Sequence, residues 1–219
     1  MDSRTFVLQL DELTEGALSG LDNLELIRAE SQDRLDVVHL LKIALKNEME
    51  AAEIAALWIG STSEVDVKLG LARQAGDEAK HYVLIEKRLA SLGVDLSDFQ
   101  PFSGGYSPMF LFLKSLSGTV PRLAAGQFTR EKIAMKRNEQ FIRLCEDRGD
   151  RETAMLYREI IQPDETYHHG LGRVLLQKYA TGGADQETAR QAAASTLQIA
   201  EELRGLMEKK LGISQIPGC

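Results

Sequence analysis

The sequence predicts an all-α protein, a bundle of four long helices in two pairs joined by a crossover, with extra helices at both ends. Three observations point there. Of 219 residues, 43% are hydrophobic, and the long stretches are built from Ala, Leu, Glu, Lys and Arg, which lose little on entering a helix. No alternation of Val, Ile and Thr with polar residues persists as a half-buried strand requires. Apolar residues instead recur three and four apart, and acids interrupt those stripes at a few matched places. A chain of this size buries its core as one domain, here 1–219, with the bundle at about 31–180 and a further helix at about 185–211.

In chain order, residues 1–30 are Leu-rich from Phe6 to Leu13 and from Leu18 to Ile27, which suits one or two short helices or an N-terminal cover. Ser31-Gln32-Asp33 offers a cap for a helix running to Trp58, with the stripe Val37, Leu41, Ala44, Glu48, Ala51/Ala52, Ala55, Ile59. Gly60 to Ser63 breaks the pattern. A second helix spans about Glu64 to Leu92 with the stripe Val67, Leu71, Gln74, Glu78, His81, Ile85, Leu89, and Gly93 suits the residue just past its end. Val94 to Val120, rich in Gly, Ser, Pro and aromatics around the apolar patch Met109–Leu116, reads as the crossover. Pro121 suits the first position of a third helix with the stripe Ala124, Phe128, Glu131, Ala134/Met135, Asn138, Ile142. After Arg148-Gly149-Asp150, a fourth helix runs from about Glu152 to Tyr179. Pro163 predicts a kink or local unwinding immediately before Glu165, because proline lacks a donor and clashes with the carbonyl four residues back. Gly182-Gly183 closes it, Asp185 caps the last helix to about Leu211, and the tail after Gly212 is expected to be loose.

The formal net charge of −7 and a pI of about 5.2 repel polyanions, so a nucleic-acid partner has no general electrostatic footprint here. No apolar run spans a membrane, and Met1-Asp2-Ser3-Arg4 opens no secretory leader, which predicts a soluble cytoplasmic protein. Cys145 and Cys219 form no disulfide framework, and Cys145 reads as a small buried apolar residue.

Chemistry concentrates in two stretches of one spacing, Glu78-Ala79-Lys80-His81 and Glu165-Thr166-Tyr167-His168. On a helix, residues three apart share a face with Cβ atoms about 5–6 Å apart, so each stretch can chelate a metal. Each is preceded by a helix with one acid in its apolar stripe, Glu48 at a gap of 78 − 48 = 30 and Glu131 at 165 − 131 = 34. Two antiparallel pairs would bring four carboxylates and two imidazoles to one level.

This pattern resembles the ferritin-like di-iron carboxylate superfamily, in which two helices each give a Glu and two give a Glu-x-x-His. The resemblance covers roughly Ser31 to Tyr179, and Asn47-Glu48-Met49-Glu50-Ala51-Ala52 with the 30-residue gap looks most similar to the bacterial tRNA methylthio-isopentenyl-adenosine hydroxylases. It implies a ferritin-like bundle and two iron ions, manganese being the alternative. Glu48, Glu78 and His81 would serve one ion and Glu131, Glu165 and His168 the other, with Glu78 and Glu165 bridging. Hard carboxylate oxygens with imidazole suit iron, and four carboxylates nearly neutralise two ferrous ions. The implied activity is that of a monooxygenase or hydroxylase-type oxidoreductase, taking dioxygen, an organic substrate, with a modified tRNA base among the candidates, and an external electron donor. No flavin, nicotinamide or iron–sulfur motif supplies electrons within the chain. A homodimer is allowed. The alternatives are a ferroxidase or rubrerythrin-like peroxide-reducing protein and, from another class, a metal-free helical interaction protein whose acids pair with Arg.

Several residues compete for these roles. Asp36-x-x-His39 has the same spacing, but His39 lies nine residues before Glu48, about 13–14 Å along the axis, which makes it structural or surface. Glu50 and Glu53 fall off the Ala-rich stripe, which points to surface pairing. Glu139 is the alternative to Glu131, whose own face carries Phe128, Ala134 and Asn138. His169 points about 100° away from His168 and is expected to face solvent, Tyr82 and Tyr167 to pack at an edge, and Arg130, Lys132, Lys136, Arg137 and Arg143 to form a solvated surface.

Overall fold

A computed structural model describes residues 1–19, 36–211 and 217, and among them all regular structure is helical. Asp2 caps α1, Ser3–Leu18, by accepting from the Thr5 N–H at 3.0 Å. The second half of the Leu-rich start, the Ser31–Asp33 cap and the tail after Gly212 lie outside the described residues, except Pro217. The first bundle helix, α2, is Val37–Ser61, and its cap is Asp36, which accepts from Val38 N at 3.0 Å. The decoy Asp36-x-x-His39 is therefore a helix start, with His39 exposed. A short turn leads to α3, Val65–Ser91, which ends before Gly93 in the left-handed conformation (φ 78°) that a C′ residue adopts.

The crossover contains a helix of its own. Ser107 caps α4, Pro108–Ser115, over the stretch that read as an apolar patch, and buries Phe110 and Leu113. Gly118 (φ 88°) then opens α5, which comprises Thr119–Leu123, a π-helical stretch Ala124–Arg130, and Glu131–Asp147. This helix starts two residues before the expected Pro121, which sits harmlessly in the first turn, where backbone N–H groups lack helical partners. The fourth bundle helix, α6, comprises Arg151–Leu156, a π-helical stretch Tyr157–Ile161, and Gln162–Tyr179. The unwinding expected before Glu165 is this π turn. Residue 159, four before Pro163, lies within it, where the proline ring would crowd an α-helical carbonyl. Finally α7, Gly183–Leu211, packs with α1 against α5 and α6.

Among the described residues the core falls into a small apolar cluster of Leu18, Ile133 and Ala200 and two large ones. One joins Phe6, Trp58, Leu71, Phe110, Phe128 and Leu176 at the end of the bundle covered by α1, α4 and α7. The other joins Leu41, Leu45, Ile85, Phe141, Tyr157 and Ile161 at the opposite end. Fully burying such side chains contributes about 1.5–3 kcal/mol each. The large clusters do not merge because the middle of the bundle belongs to acids and histidines.

Candidate metal centre

The levels of the acids are set by helix lengths. Glu48 lies 61 − 48 = 13 residues before the end of α2, and Glu78 lies 78 − 65 = 13 residues after the start of α3. At about 1.5 Å per residue both therefore stand about 20 Å from their shared turn, opposite each other. In the second pair, Glu131 begins the segment of α5 beyond its π turn, and Glu165 stands four residues past the π turn of α6.

All six residues singled out in the sequence come together. One donor from each of Glu48, Glu78, His81 and Glu165 lies within 4.8 Å of the others, and so does one from each of Glu78, Glu131, Glu165 and His168. The two sets share Glu78 and Glu165. Each of the four carboxylates is 0% exposed, as is His81, and His168 is 1% exposed. His81 Nδ1 lies 3.2 Å from both Glu48 Oε2 and Glu78 Oε2, and His168 Nδ1 lies 3.3 Å from Glu165 Oε2. Glu139 is exposed, which leaves the position to Glu131.

Burying four carboxylates together is costly, and the protonation of the centre responds. Burial, with the neighbouring Glu78 charge, raises Glu48, although His81 opposes the shift. Burial and the charges of Glu78 and Glu131 raise Glu165 well above the usual carboxylate range. Against its own burial, Glu78 is held low by the His81 hydrogen bond and by the charges of His168, His81 and Arg130. His81, which burial alone would keep neutral, is raised by its hydrogen bonds to Glu48 and Glu78. The centre without metal thus stores protons, and a cation displacing them would meet a ready set of oxygen and nitrogen donors. One oxygen of Glu48, Oε1, is buried without a hydrogen-bond partner. A buried carboxylate oxygen left so is what a site built for a cation presents.

The surrounding shell lies beyond the sequence reading. His81 Nε2 meets Asp164 Oδ2 at 3.1 Å, and His168 Nε2 meets Asp77 Oδ2 at 3.2 Å. The repeated unit is therefore Asp-Glu-x-x-His, and the aspartate of each copy orients the histidine of the other. That Asp-Glu dipeptide stands before both histidines as a readable signal. With Nε2 donating to an aspartate, Nδ1 is the nitrogen turned toward the acids. Lys80 Nζ lies 2.6 Å from Asp164 Oδ2 and 3.5 Å from Asp77 Oδ1, while Arg73 Nε donates to Asp77 at 3.2 Å and its guanidinium stacks 3.4 Å from the Tyr167 ring centre. Gln74 Nε2 donates to Glu131 Oε1 at 2.6 Å, and Gln127 Nε2 donates to Gln74 Oε1 at 2.7 Å.

Other expectations need correction. Glu50 is buried, not a surface residue: it accepts from the Ser107 N–H at 2.8 Å and from the Ser107 hydroxyl, anchoring the start of α4. Glu53 does pair at the surface as expected, accepting from the Tyr106 hydroxyl at 2.8 Å. Arg130 is buried with its guanidinium 3.9 Å from Glu131, so α5 does not carry a wholly solvated basic face. His169 is buried as well, and burial lowers its pKa. Cys145 is buried as expected, with its thiol pKa pushed up by burial.

No protein-family model matches the chain, and no curated protein sequence matches it. A solved structure does, described as a domain of unknown function with a heme oxygenase-like fold from Shewanella denitrificans OS217. The match covers 98% of this chain and 97% of that chain, with a TM-score of 0.64 and 14% sequence identity. The chain thus has a helical, heme oxygenase-like fold around a buried carboxylate and histidine cluster able to bind metal. A haem does not fit that cluster. A porphyrin needs an apolar slot beside an axial ligand, whereas both histidines here are fixed at both ring nitrogens among acids in the middle of the bundle. No helix among the described residues is long and apolar enough to cross a membrane.

Proposed function

We propose that the centre binds two metal ions, iron in the first place, and that the protein is an oxidoreductase using dioxygen to hydroxylate or otherwise oxidise an organic substrate. The observation that carries this reading is the pair of buried donor sets sharing Glu78 and Glu165. Glu48 and His81 would complete one position and Glu131 and His168 the other, with the shared acids reaching both. When bound, ferrous ions would supply electrons and Lewis acidity for dioxygen reduction.

The residues of the chain do the rest. Four carboxylates neutralise the cations, Asp164 and Asp77 fix the tautomers of the histidines, and Gln74 holds Glu131 in orientation. The two large apolar clusters seal the centre from bulk water at both ends. Burial raises the carboxyls of Glu48 and Glu165, so cations binding there would displace protons from them. Hydroxylation balances as R–H + O2 + 2e− + 2H+ → R–OH + H2O, and the two external electrons come from a separate donor protein. The comparisons link the chain to no tRNA-modifying enzyme, and the acidic net charge gives none.

The test is to load the protein anaerobically with ferrous iron, admit dioxygen and monitor its uptake. Rapid uptake tied to oxidation of two irons per chain is expected, becoming catalytic when a reductant and an oxidisable substrate are supplied. Turnover with ferrous iron alone would favour the ferroxidase reading, and no uptake would sink both.

A further inference from the structure

The turn of α5 immediately before Glu131 is π-helical, and the Glu131 N–H bonds to the Gly126 carbonyl five residues back. A π turn adds about one residue to a helical turn, so it rotates the residues beyond it by about 100° relative to those before it. That rotation decides whether Glu131 faces Gln74 and Glu165 or turns toward its neighbours. Nothing local demands it, since residues 124–130 contain no proline.

Against the turn lies α6. His169 Nδ1 has a carbonyl as its partner and donates to Phe128 O, within the π stretch, at 2.8 Å. The two rings stack obliquely with centres 4.9 Å apart. Gly172 brings a bare Cα to the same place, where an added Cβ would come within 2.8–3.0 Å of Gln127 and Phe128. On the far side of the ring, Nε2 lies 3.8 Å from Asp11 Oδ1 of α1, and Asp11 also holds Lys132 at 2.9 Å and pairs with Arg173. A histidine that this packing fixes is a firm donor to a carbonyl inside the π turn.

We propose that His169 is a positioning residue: its hydrogen bond to the Phe128 carbonyl holds the π turn of α5 and thereby aims Glu131 into the second metal position. Gly172 makes the approach possible. The inference rests on the two-metal reading and adds a site-selective consequence to it. Without the bond, the turn relaxes toward α geometry and Glu131 leaves the centre, whereas Glu48, Glu78, His81 and Glu165 stay.

The test is anaerobic titration with ferrous iron of the full chain and three variants. Wild type takes up two ions per chain, His169→Leu one, and Gly172→Ala, which pushes α6 off the turn, also one. His169→Asn, whose Nδ2 stands where the imidazole holds Nδ1, recovers two, a rescue that a mere packing role would not give. If His169→Leu does not fold, Gly172→Ala and the asparagine variant carry the test. Two ions with unchanged affinity in His169→Leu or Gly172→Ala would overturn the inference while leaving the metal reading intact. So would an asparagine variant that takes up one ion. A wild type that binds no iron overturns the metal reading itself and the inference with it.

Discussion

The two helical pairs of the bundle supply the same donors from different backbones. In α2 and α3 the helix is regular throughout, and equal thirteen-residue arms from the turn set Glu48 opposite Glu78. In α5 and α6 the arms are unequal, 147 − 131 = 16 and 165 − 151 = 14 residues, and each helix carries a π turn shortly before its acid. Register comes from chain length alone in the first pair. In the second, the arm of α6 contains a π turn with Pro163 just beyond it, and α5 carries its π turn on the far side of Glu131, where His169 of α6 bonds to it. The second pair is therefore where a change far from the acids can move a donor.

The largest expected effect separates shared from unshared donors. Glu78→Ala or Glu165→Ala should abolish uptake of both ions, whereas Glu48→Ala and Glu131→Ala should each leave one, as read by metal content after gel filtration. Next come the aspartates behind the histidines. Asp77→Asn and Asp164→Asn should each weaken metal binding by about 10–100-fold, with equal losses if the two crossed pairs are equivalent.

The proline sharpens the contrast between the pairs. Pro163→Ala removes the clash that favours the π turn of α6 and should weaken iron binding by less than the aspartate changes do. The corresponding position two residues before Glu78 is Gly76, exposed, with open space at its Cβ. Gly76→Ala should leave metal binding unchanged and raise stability by about 0.5–1 kcal/mol in thermal melts.

The smallest effect concerns the link between the pairs. Asp150, at the turn between α5 and α6, pairs with Arg88 of α3 at 2.6 Å and caps Thr153. Although burial opposes it, these partners hold the Asp150 carboxyl below its usual value. A folded pKa below the unfolded one, about 3.9, gives stability that is present above that value and lost as pH falls through the folded one. Thermal melts between about pH 5 and pH 2 should therefore fall less steeply for Asp150→Asn than for wild type.

Much of this is legible in the sequence. Helix periodicity carries the bundle, and the repeated Glu-x-x-His with its partner acids carries the six central residues, because both are local patterns on one helix. Proline chemistry carries the unwinding of α6. Asp77 and Asp164 are readable as a repeated dipeptide, but their crossed pairing joins residues more than eighty positions apart. Glu50 and His169 escape a sequence reading for the same reason. Each looks like a surface residue on its own helix, and each is buried by a partner elsewhere, Ser107 for one and the Phe128 carbonyl for the other. The π turn of α5 leaves no mark in its own residues because its cause lies on α6.

The central claim is that one buried centre holds two ions through shared acids. Its most direct test is anomalous scattering at the iron edge from crystals of the anaerobically loaded protein. Two peaks are expected, one between Glu48 and His81 and one between Glu131 and His168, both in contact with Glu78 and Glu165. A single peak, or peaks away from these acids, would contradict it.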